Sequence, residues 1–563
     1  MIDTRLIGYI ALAFVLFLLY QAWVQDYGPK NAAQPKQETS QVVEKPGSSQ
    51  QEQDLPQAEF AQPPALQDNT TAGVVQDTTG GTNSETTQPV TVETDVLRLR
   101  IDPKGGTIIS AELPAYPVDL QHPNQPVHIF TVSDGYYVAQ SGLQAKGGEA
   151  PDHYAEYKVA QQHYTLTDGE DTLRVPLTWQ SPDGVKVVKT FVLKRGQYDI
   201  GVDYHVENDS QQTWQGRQYR QLQRDFHKEN KKGLTQVRAY IGGVIYSPEK
   251  HYEKIKFEDM VEHPLKRNII NGWAAMIQHY FLAAWIPQRD QENTYYSRGV
   301  ASATGERYIL GLMGPVQSIP SGGAADFSSS LYVGPKIQDH LEKVAEGLEL
   351  TVDYGYLTFI SQPLFWLLQH IHGFVGNWGW SIILVTLLIK ALFYKLAETS
   401  YRSMANMRRV QPKMVAIKER YADDRQRQSQ AMMELYKKEK INPLGGCLPM
   451  VIQIPVFIAL YWVLLESVEL RQAPFILWIH DLSIKDPYFV LPVIMGISMY
   501  IQQKLNPAPV DPLQAKIFMM LPFVFTVFFA FFPSGLVLYW VVNNITTIAQ
   551  QWFITHRVLA EKK

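Results

Sequence analysis

The amino-acid sequence predicts a multi-domain membrane protein: an α-helical transmembrane bundle of six spans, an all-β sandwich domain and a helical hairpin. Two observations predict this fold class. The last third of the 563-residue chain is dominated by apolar segments, although the mean hydropathy of the whole chain is slightly negative. The middle of the chain instead alternates apolar and polar residues, which is typical of half-buried strands. The single cysteine, Cys447, excludes an intrachain disulfide, so an exported domain must fold on its core alone.

The N-terminal region contains one apolar run, residues 6–24, which is roughly long enough to span a bilayer. The run resembles a signal peptide, but no small-residue cleavage site follows it. We therefore predict a signal-anchor transmembrane helix within residues 1–27, with a cleaved signal peptide as the alternative. Residues 28–90 are rich in Gln, Pro, Thr, Ser and Glu and predict a disordered linker.

The segment 91–345 predicts a β-sandwich. Apolar residues alternate from Leu173 to Trp179, the turn Pro182-Asp183-Gly184 follows, and the alternation resumes at Val185. This is the signature of a β-hairpin, and the same period-2 pattern recurs between Ile200 and Val206. About 250 residues of this pattern suit one large all-β domain.

Helical patterns begin after the β domain. Residues 356–372 carry apolar residues at helical spacing and predict an amphipathic helix in the membrane interface, or alternatively a core helix of the β domain. Five apolar segments then predict transmembrane helices 2 to 6, at 378–396, 447–465, 488–503, 514–532 and 535–554.

The connecting segments predict the orientation. The segment 397–446 is predicted to be a helical hairpin, and residues 395–441 carry about twice as many Lys and Arg as Asp and Glu. By the positive-inside rule this hairpin is cytoplasmic. The loop 466–487 and the β domain are then periplasmic, and both termini, including the tail 555–563, are cytoplasmic. A Gram-negative inner membrane fits this arrangement.

The sequence contains no pattern typical of an enzyme. It has no phosphate-binding G-x-x-x-x-G-K-[ST] loop, no H-E-x-x-H pattern and no paired cysteine ligands. His370 and His372 are two residues apart on a predicted helix and therefore face different sides. We predict no catalytic residues, no metal site and no cofactor.

Polar residues inside the predicted spans are the more informative feature. Lys390 lies within an apolar span, where a lysine is unfavourable by several kcal/mol unless it reaches water or a partner. The alternative is that it extends to the cytoplasmic surface. Because other polar residues fall in the same half of the bilayer, we predict a hydrated cavity. These are Thr386, Gln453, Asn543, Asn544, Thr546 and Thr547.

The predicted hairpin is basic and rich in methionine. Such a surface suits contact with nascent apolar segments, ribosomal RNA or anionic lipid. The alternative is a solvated hairpin whose methionines fill the seam between its helices. The basic residues are Arg408, Arg409, Lys413, Lys418, Arg420, Arg425 and Arg427.

Several long stretches resemble one known family. They include GNWGWSIILVT at 376–386, NPLGGCLPMVIQIPVFIALYWVL at 442–464, and FFPSGLVLYWVVNNITTIAQQ at 531–551. These stretches are similar to the YidC/Oxa/Alb family of membrane protein insertases, in its Gram-negative branch with a large periplasmic domain. The resemblance covers essentially the whole chain.

The resemblance implies a fold, a function and a set of site residues. Five of the six spans would form the family's core, around a hydrophilic groove open to cytoplasm and lipid. Lys390 would occupy the groove position where the family usually has Arg, together with Thr386. The last span would contribute the aromatic pair Tyr539 and Trp540. A hydrophobic slide would consist of Ile454 and Phe457, with Phe523 or Phe525 added.

The function implied is that of an insertase and chaperone for integral inner-membrane proteins. Its implied partners are nascent membrane proteins, the Sec translocon, the ribosome and the lipid bilayer. Two other classes stay open. A secondary transporter would also place a cation in the membrane, but should show inverted repeats. A membrane-anchored sugar-binding protein would use aromatics of the β domain such as Trp179 and Trp214.

Overall fold

The structure is a computed structural model that describes residues 54–56, 88–133, 135–146, 148–226, 239–302, 305–439, 448–506 and 512–560. The predicted N-terminal helix within 1–27 and most of the predicted linker 28–90 lie outside the described residues. The described residues form a β-sandwich followed by a helical region.

Two sheets make up the β-sandwich. The first sheet has the strand order β14-β17-β18-β11-β5-β3-β2-β1-β7, with β19 paired to β11 and β4 to β3, and the second has the order β13-β12-β15-β16-β20-β10-β9-β8-β6. The strands are β1 Val90–Glu93, β2 Arg98–Asp102, β3 Thr107–Pro117, β4 Pro126–Phe130, β5 Tyr137–Lys146, β6 Lys158–Val159, β7 His163–Thr165, β8 Thr172–Gln180, β9 Val185–Lys194, β10 Asp199–Asn208, β11 Trp214–Asp225, β12 Gly242–Ser247, β13 His251–Ile255, β14 Lys266–Ile270, β15 Trp273–Ile277, β16 Phe281–Pro287, β17 Glu292–Ser302, β18 Gly305–Met313, β19 Gln317–Ile319 and β20 Gly323–Pro335.

Alternation along the strands builds the core between the two sheets. The predicted hairpin is confirmed, because β8 pairs antiparallel with β9, with Trp179 opposite Val187. Its turn is closed by Gly184, whose φ of 101° is a left-handed conformation that favours glycine. Strand β10 buries every second residue between Ile200 and Val206 and lies between β9 and β20. Burial of these apolar side chains is what holds the sheets together.

The two tryptophans considered as sugar contacts belong to this core. Trp214 is buried, and its indole Nε1 donates a hydrogen bond to the carbonyl of Glu149 at 3.3 Å. Trp179 is partly buried and packs against the same core. Their packing explains both residues without a ligand.

The described residues form ten α-helices, and nine of them follow the last strand. They are α1 Phe257–Glu262, α2 Gln338–Val344, α3 Thr358–Val375, α4 Trp378–Leu392, α5 Tyr394–Arg420, α6 Arg425–Lys438, α7 Leu448–Glu466, α8 Val490–Leu505, α9 Pro512–Phe529 and α10 Ser534–Ala560.

The segment predicted as the second span differs from the expected 378–396. Helix α4 ends at Leu392, and α5 begins at Tyr394 with a bend of 67° between the two axes. The break falls where the apolar run gives way to charged residues, beginning with Lys395 and Glu398, which a surface helix can hold in water. In the part of the chain that the structure describes, no single helix combines the length and apolarity needed to cross a bilayer, whereas α4 and α5 do so when taken together.

The helices pack around α10. Helix α10 contacts α4, α5 and α8, and α8 in turn contacts α9. Helix α3, predicted at 356–372, packs on α4 and α7 while exposing Phe359, Trp366 and Phe374. It therefore lies against the helical region rather than in the core between the two sheets.

The β-sandwich and the helical region meet through the segment that follows α7. The guanidinium of Arg471 donates to the carbonyls of Pro117 and Val118, at 2.6 and 2.8 Å. Gln472 donates to the same Pro117 carbonyl at 2.9 Å. The ring Nε2 of His279 lies 2.9 Å from the carbonyl oxygen of Leu465, at the end of α7. These contacts connect the strands directly to the helices that carry the site.

Candidate functional site

Lys390 is joined by hydrogen bonds to two other helices. Its ammonium on α4 donates to the hydroxyl of Thr547 on α10 at 2.8 Å and to the amide oxygen of Gln453 on α7 at 3.2 Å. The amide nitrogen of Gln453 donates in turn to the side-chain oxygen of Asn543 on α10. The Lys390 residue is only 8% exposed, so these partners replace most of the water that an ammonium requires.

A second polar link lies beside this network. Asn544 on α10 is buried and donates to the hydroxyl of Ser498 on α8 at 3.0 Å. Thr386 is also buried, but its hydroxyl donates to the carbonyl of Ile382 one turn earlier, at 2.7 Å. The structure thus brings five of the predicted polar residues into hydrogen bonds across helices, whereas Thr386 is satisfied within its own helix. The five are Lys390, Gln453, Asn543, Asn544 and Thr547.

A cleft of about 350 Å³ opens next to the network, bounded by helices α5, α7, α8, α9 and α10. Gln453, Asn543, Asn544 and Thr547 form its polar wall. Lys390 lies beside this cleft rather than in its wall, lining a smaller space of about 30 Å³ that it shares with Gln453 and Tyr401. That space is large enough for about two water molecules.

The rest of the cleft lining is largely apolar and aromatic. Ile454 and Phe457 line it from α7, and Phe525 lines it from α9. Tyr539 stacks on Phe457, with 5.8 Å between ring centroids, and the ring of Trp540 meets Phe457 edge-on at 4.8 Å. Phe457 lies one turn after Gln453 on α7, and Tyr539 lies one turn before Asn543 on α10. The aromatic and polar parts of the lining therefore follow one another along these two helices.

The two phenylalanines predicted on α9 occupy different positions. Phe525 lines the cleft and is half-buried. Phe523 is 60% exposed and is not among the described residues that line the cleft. Residues two apart on a helix face different sides, which explains why only one of them can contribute to this wall.

Several residues of the cleft were missed in the sequence. Tyr401 and Met404 come from α5, which the bend after Leu392 brings against α10. Gln502 and Gln503, near the end of α8, could have been recognised in the sequence as candidate lining residues, because two adjacent amides are unusual at the edge of an apolar run. The missed lining residues are Ser400, Tyr401, Met404, Met499, Gln502, Gln503, Asn506, Phe518, Leu521, Pro522 and Gln551.

Helices α5 and α6 form an antiparallel pair with a methionine-rich seam. Val410 and Met414 are buried there, with Met407 and Met432 packed against them. Three of the basic side chains are used locally. Arg409 and Lys413 form ion pairs with Glu439, at 3.3 and 2.7 Å, and Arg408 donates to the carbonyl of Lys504.

The remaining basic residues lie around the turn between α5 and α6. Arg420 and Arg427 are exposed, Lys418 is half-buried, and Arg427 pairs with Asp424 at 3.3 Å. Arg425 begins α6. Glu419, Asp423 and Asp424 share this turn, so residues 418–427 carry four basic and three acidic side chains. Contact of this tip with an anionic partner stays a prediction.

No group of three or more His, Cys, Asp or Glu side chains among the described residues is arranged to hold a metal ion. His370 stacks on Trp366 of the same helix and contacts its carbonyl, 2.8 Å from its Nδ1. His372 stacks on Trp378 with 3.9 Å between centroids. Each histidine ring is therefore held in place by stacking on a neighbouring indole ring.

The comparisons with known proteins agree along the chain. Residues 89–367 match the family described as YidC periplasmic domain, and residues 370–562 match the family described as 60Kd inner membrane protein. Proteins named membrane protein insertase YidC from Thioalkalivibrio sulfidiphilus and Methylococcus capsulatus are each 50% identical to this chain. Their alignments cover 99% and 97% of this chain and 98% of each relative.

The comparison with a crystal structure of an active YidC insertase covers 83% of this chain and 92% of that chain, with 19% identity and a TM-score of 0.36. The identity to the two relatives is high, and the alignments cover nearly the full length of all three chains. The chain therefore belongs to the YidC family of membrane protein insertases.

Proposed function

We propose that the cleft receives the polar segment of a nascent membrane protein and that the apolar helix of that protein leaves along its aromatic wall. One observation carries the proposal: Lys390, Gln453, Asn543 and Thr547 join three apolar helices through hydrogen bonds, beside a cleft whose lining also contains a cluster of aromatic rings. As a member of its family, the chain is an insertase of the inner membrane. The cleft supplies a physical route for that activity.

The polar wall would lower the barrier for moving a hydrophilic tail. Each backbone group without a hydrogen-bond partner in hydrocarbon is unfavourable by several kcal/mol. Asn543 and Gln453 offer both donors and acceptors, and Lys390 offers a positive charge close by. A tail that enters the cleft exchanges water for these groups and therefore has a shorter dry path to cross.

The aromatic wall would guide the apolar segment. Ile454 is 44% exposed and lies on α7 beside Phe457, so this surface is available to an apolar helix. Transfer of that helix into lipid supplies the free energy, on the order of 25 cal/mol per Å² of apolar surface removed from water. No nucleotide is required in this scheme.

The membrane arrangement belongs to the proposal. Six spans place both termini in the cytoplasm, the β domain in the periplasm and the helical pair α5–α6 in the cytoplasm. In that orientation the Lys390 network lies in the cytoplasmic half of the bilayer. The finer boundaries are those predicted from the sequence, with α3 lying in the membrane interface and 466–487 on the periplasmic side.

The basic tip of α5–α6 would meet the substrate first. Its positive charge suits ribosomal RNA or anionic lipid, and α5 also contributes Tyr401 and Met404 to the cleft. One helix would thus connect the site of capture to the site of entry. The Sec translocon is proposed as a second partner, with the insertase acting alone on simple substrates and beside Sec on larger ones, where it also assists folding.

Site-specific photocrosslinking to a ribosome-stalled membrane protein tests the proposal. A photoreactive residue at Phe525, which lines the cleft, should crosslink to the nascent chain. The same residue at Phe523, two positions away on α9, should crosslink mainly to lipid. Equal crosslinking of the nascent chain at both positions would contradict entry through this cleft.

A further inference from the structure

Residues Asp54, Leu55 and Pro56 lie on the β-sandwich, although the sequence predicts a disordered linker throughout 28–90. The surface that holds them is the outer face of the first sheet, formed by alternate residues of β5, β11, β17 and β18. Tyr219 and Gln221 of β11 point to this face, whereas Leu222 points into the main core.

The Asp54 carboxylate is hydrogen-bonded by one side chain of the β domain and lies close to a second. The hydroxyl of Tyr154 donates to it, 2.6 Å from each carboxylate oxygen. The ring Nε2 of His153 lies 3.5 Å from Oδ1, and the His153 side chain is fully buried. The other ring nitrogen, Nδ1, lies 2.6 Å from the Tyr219 hydroxyl, which fixes the ring toward the carboxylate.

The backbone and the leucine side chain are recognised separately. Gln221 donates from its amide to the carbonyl of Asp54 at 3.2 Å, and Gln144 donates to the carbonyl of Pro56 at 2.7 Å. Leu55 packs on an apolar cluster that is separate from the main core. That cluster consists of Tyr219, Tyr296, Val300, Ile309 and Met313.

Three consecutive residues thus make a side-chain hydrogen bond, two backbone hydrogen bonds and an apolar contact. The receiving amide is itself held in place, because Gln221 also donates to Gln140 at 2.9 Å and accepts from Tyr296 at 2.7 Å. A side chain fixed in this way loses little further freedom when it binds a peptide. These features are typical of a preformed site that binds a short peptide.

We infer that this face of the sheet is a binding site for the chain's own Asp54-Leu55-Pro56 segment, which docks as a short linear motif and fastens the linker to the β domain. Residues 28–53, which precede the docked segment, are fewer than half of the predicted linker 28–90.

Proteolysis of the full-length chain in detergent tests the docking with a matched site in the same linker. Endoproteinase Asp-N can cut at Gln53-Asp54 and at Gln67-Asp68, which have the same two residues around the cut. We expect the cut at Asp54 to be at least ten-fold slower. The variant Tyr154→Phe should bring the two rates within a factor of two, and equal rates in the unsubstituted chain would overturn the inference.

Peptide binding tests the site itself. A labelled peptide of residues 50–58 should bind saturably to the full-length variant Asp54→Asn/Leu55→Ala and at least ten-fold more weakly to the unsubstituted chain, where the linked segment competes at a high effective concentration. Adding Tyr154→Phe should weaken binding by about ten-fold. A control chain with Leu66→Ala/Asp68→Asn should behave as the unsubstituted one.

A scrambled peptide serves as the control for the Asp54→Asn/Leu55→Ala variant. The inference would be overturned if the labelled peptide bound this variant no more tightly than the scrambled one. Neither experiment measures insertion, so a negative result here leaves the proposed function untouched.

Discussion

The ammonium group of Lys390 lies 2.8 Å from the hydroxyl oxygen of Thr547, which connects α4 to α10 across the interior of the helical region. The second acceptor, on Gln453, is an amide. Both acceptors are neutral, so the positive charge of Lys390 is held in position without being cancelled by either partner. This relationship leads to the first two predictions.

Replacement of Lys390 by glutamate should impair insertion of substrates with acidic translocated tails. A carboxylate at this position would repel such tails, and we expect about a ten-fold loss, equivalent to about 1.4 kcal/mol. Insertion into proteoliposomes, measured as protease protection of the tail, checks this. Lys390→Gln is the control, because it keeps a donor without the charge. Equal insertion of acidic and neutral tails by the glutamate variant would show that charge attraction is not used.

Thr547→Val should destabilise the helical region. Valine has the shape of threonine but no hydroxyl, so Lys390 loses an acceptor in a buried position, which is unfavourable by about 1–3 kcal/mol. Thr546 on the next position only donates to the carbonyl of Val542, so Thr546→Val should change stability by about 1 kcal/mol or less. Thermal unfolding in detergent compares the two. Similar losses for both variants would mean that the Lys390 contact adds no stability.

Gly496→Ala should separate α8 from α9, two helices that bound the cleft. A Cβ at this position would collide with the Thr526 side chain on α9, and overpacking of this kind is unfavourable by about 1–3 kcal/mol. Gly373 on α3 has open space at the same atom, so Gly373→Ala should leave stability unchanged or raise it slightly. Unfolding temperatures of the two variants, measured side by side, decide the point.

Acid should weaken the contact between the β-sandwich and α7. Burial and the neighbouring Lys336 lower the pKa of His279 from 6.5 to about 4 in the folded protein. The neutral ring is preferred when folded, so its contribution is complete above pH 6.5 and declines as the pH falls from 6.5 to 4. Glu466, 3.9 Å away, and Tyr280, stacked on the ring, also face His279.

His279→Gln isolates this effect, because glutamine keeps a donor for the Leu465 carbonyl but does not titrate in this range. The unfolding temperature of the unsubstituted chain should therefore drop more steeply between pH 6.5 and 4 than that of the variant. Parallel pH profiles for the two proteins would contradict the assignment to His279.

Local patterns were enough to predict the hairpin β8–β9 and the gathering of Lys390, Gln453 and Asn543. Alternation reports burial directly, and a polar residue in an apolar helix must find a partner, whatever the fold. The change from apolar to charged residues near Lys395 marks the end of the apolar helix, but the direction that α5 takes after Leu392 could not be predicted, because it depends on how α5 packs against α10. Tyr401 and Met404 were missed for that reason.

Two other details also depend on packing across long sequence distances. Nothing local distinguishes Phe525 from Phe523 until the neighbours of α9 are known. Likewise, Asp54, Leu55 and Pro56 have no periodicity, and their docking depends on Tyr154 and Gln221, which lie about one hundred or more residues away. A composition that predicts disorder describes the average of a segment and is silent about a three-residue motif within it.

The neutrality of both Lys390 acceptors has a consequence for turnover. Under the proposed function, an incoming acidic group would approach the ammonium without first displacing an internal counterion, and its departure would not have to compete with one re-forming. Capture and release would then differ only by the exchange of one set of oxygen contacts for another. A carrier that must let go of every client gains from such a shallow attachment, since a tighter one would keep the first client and exclude the next.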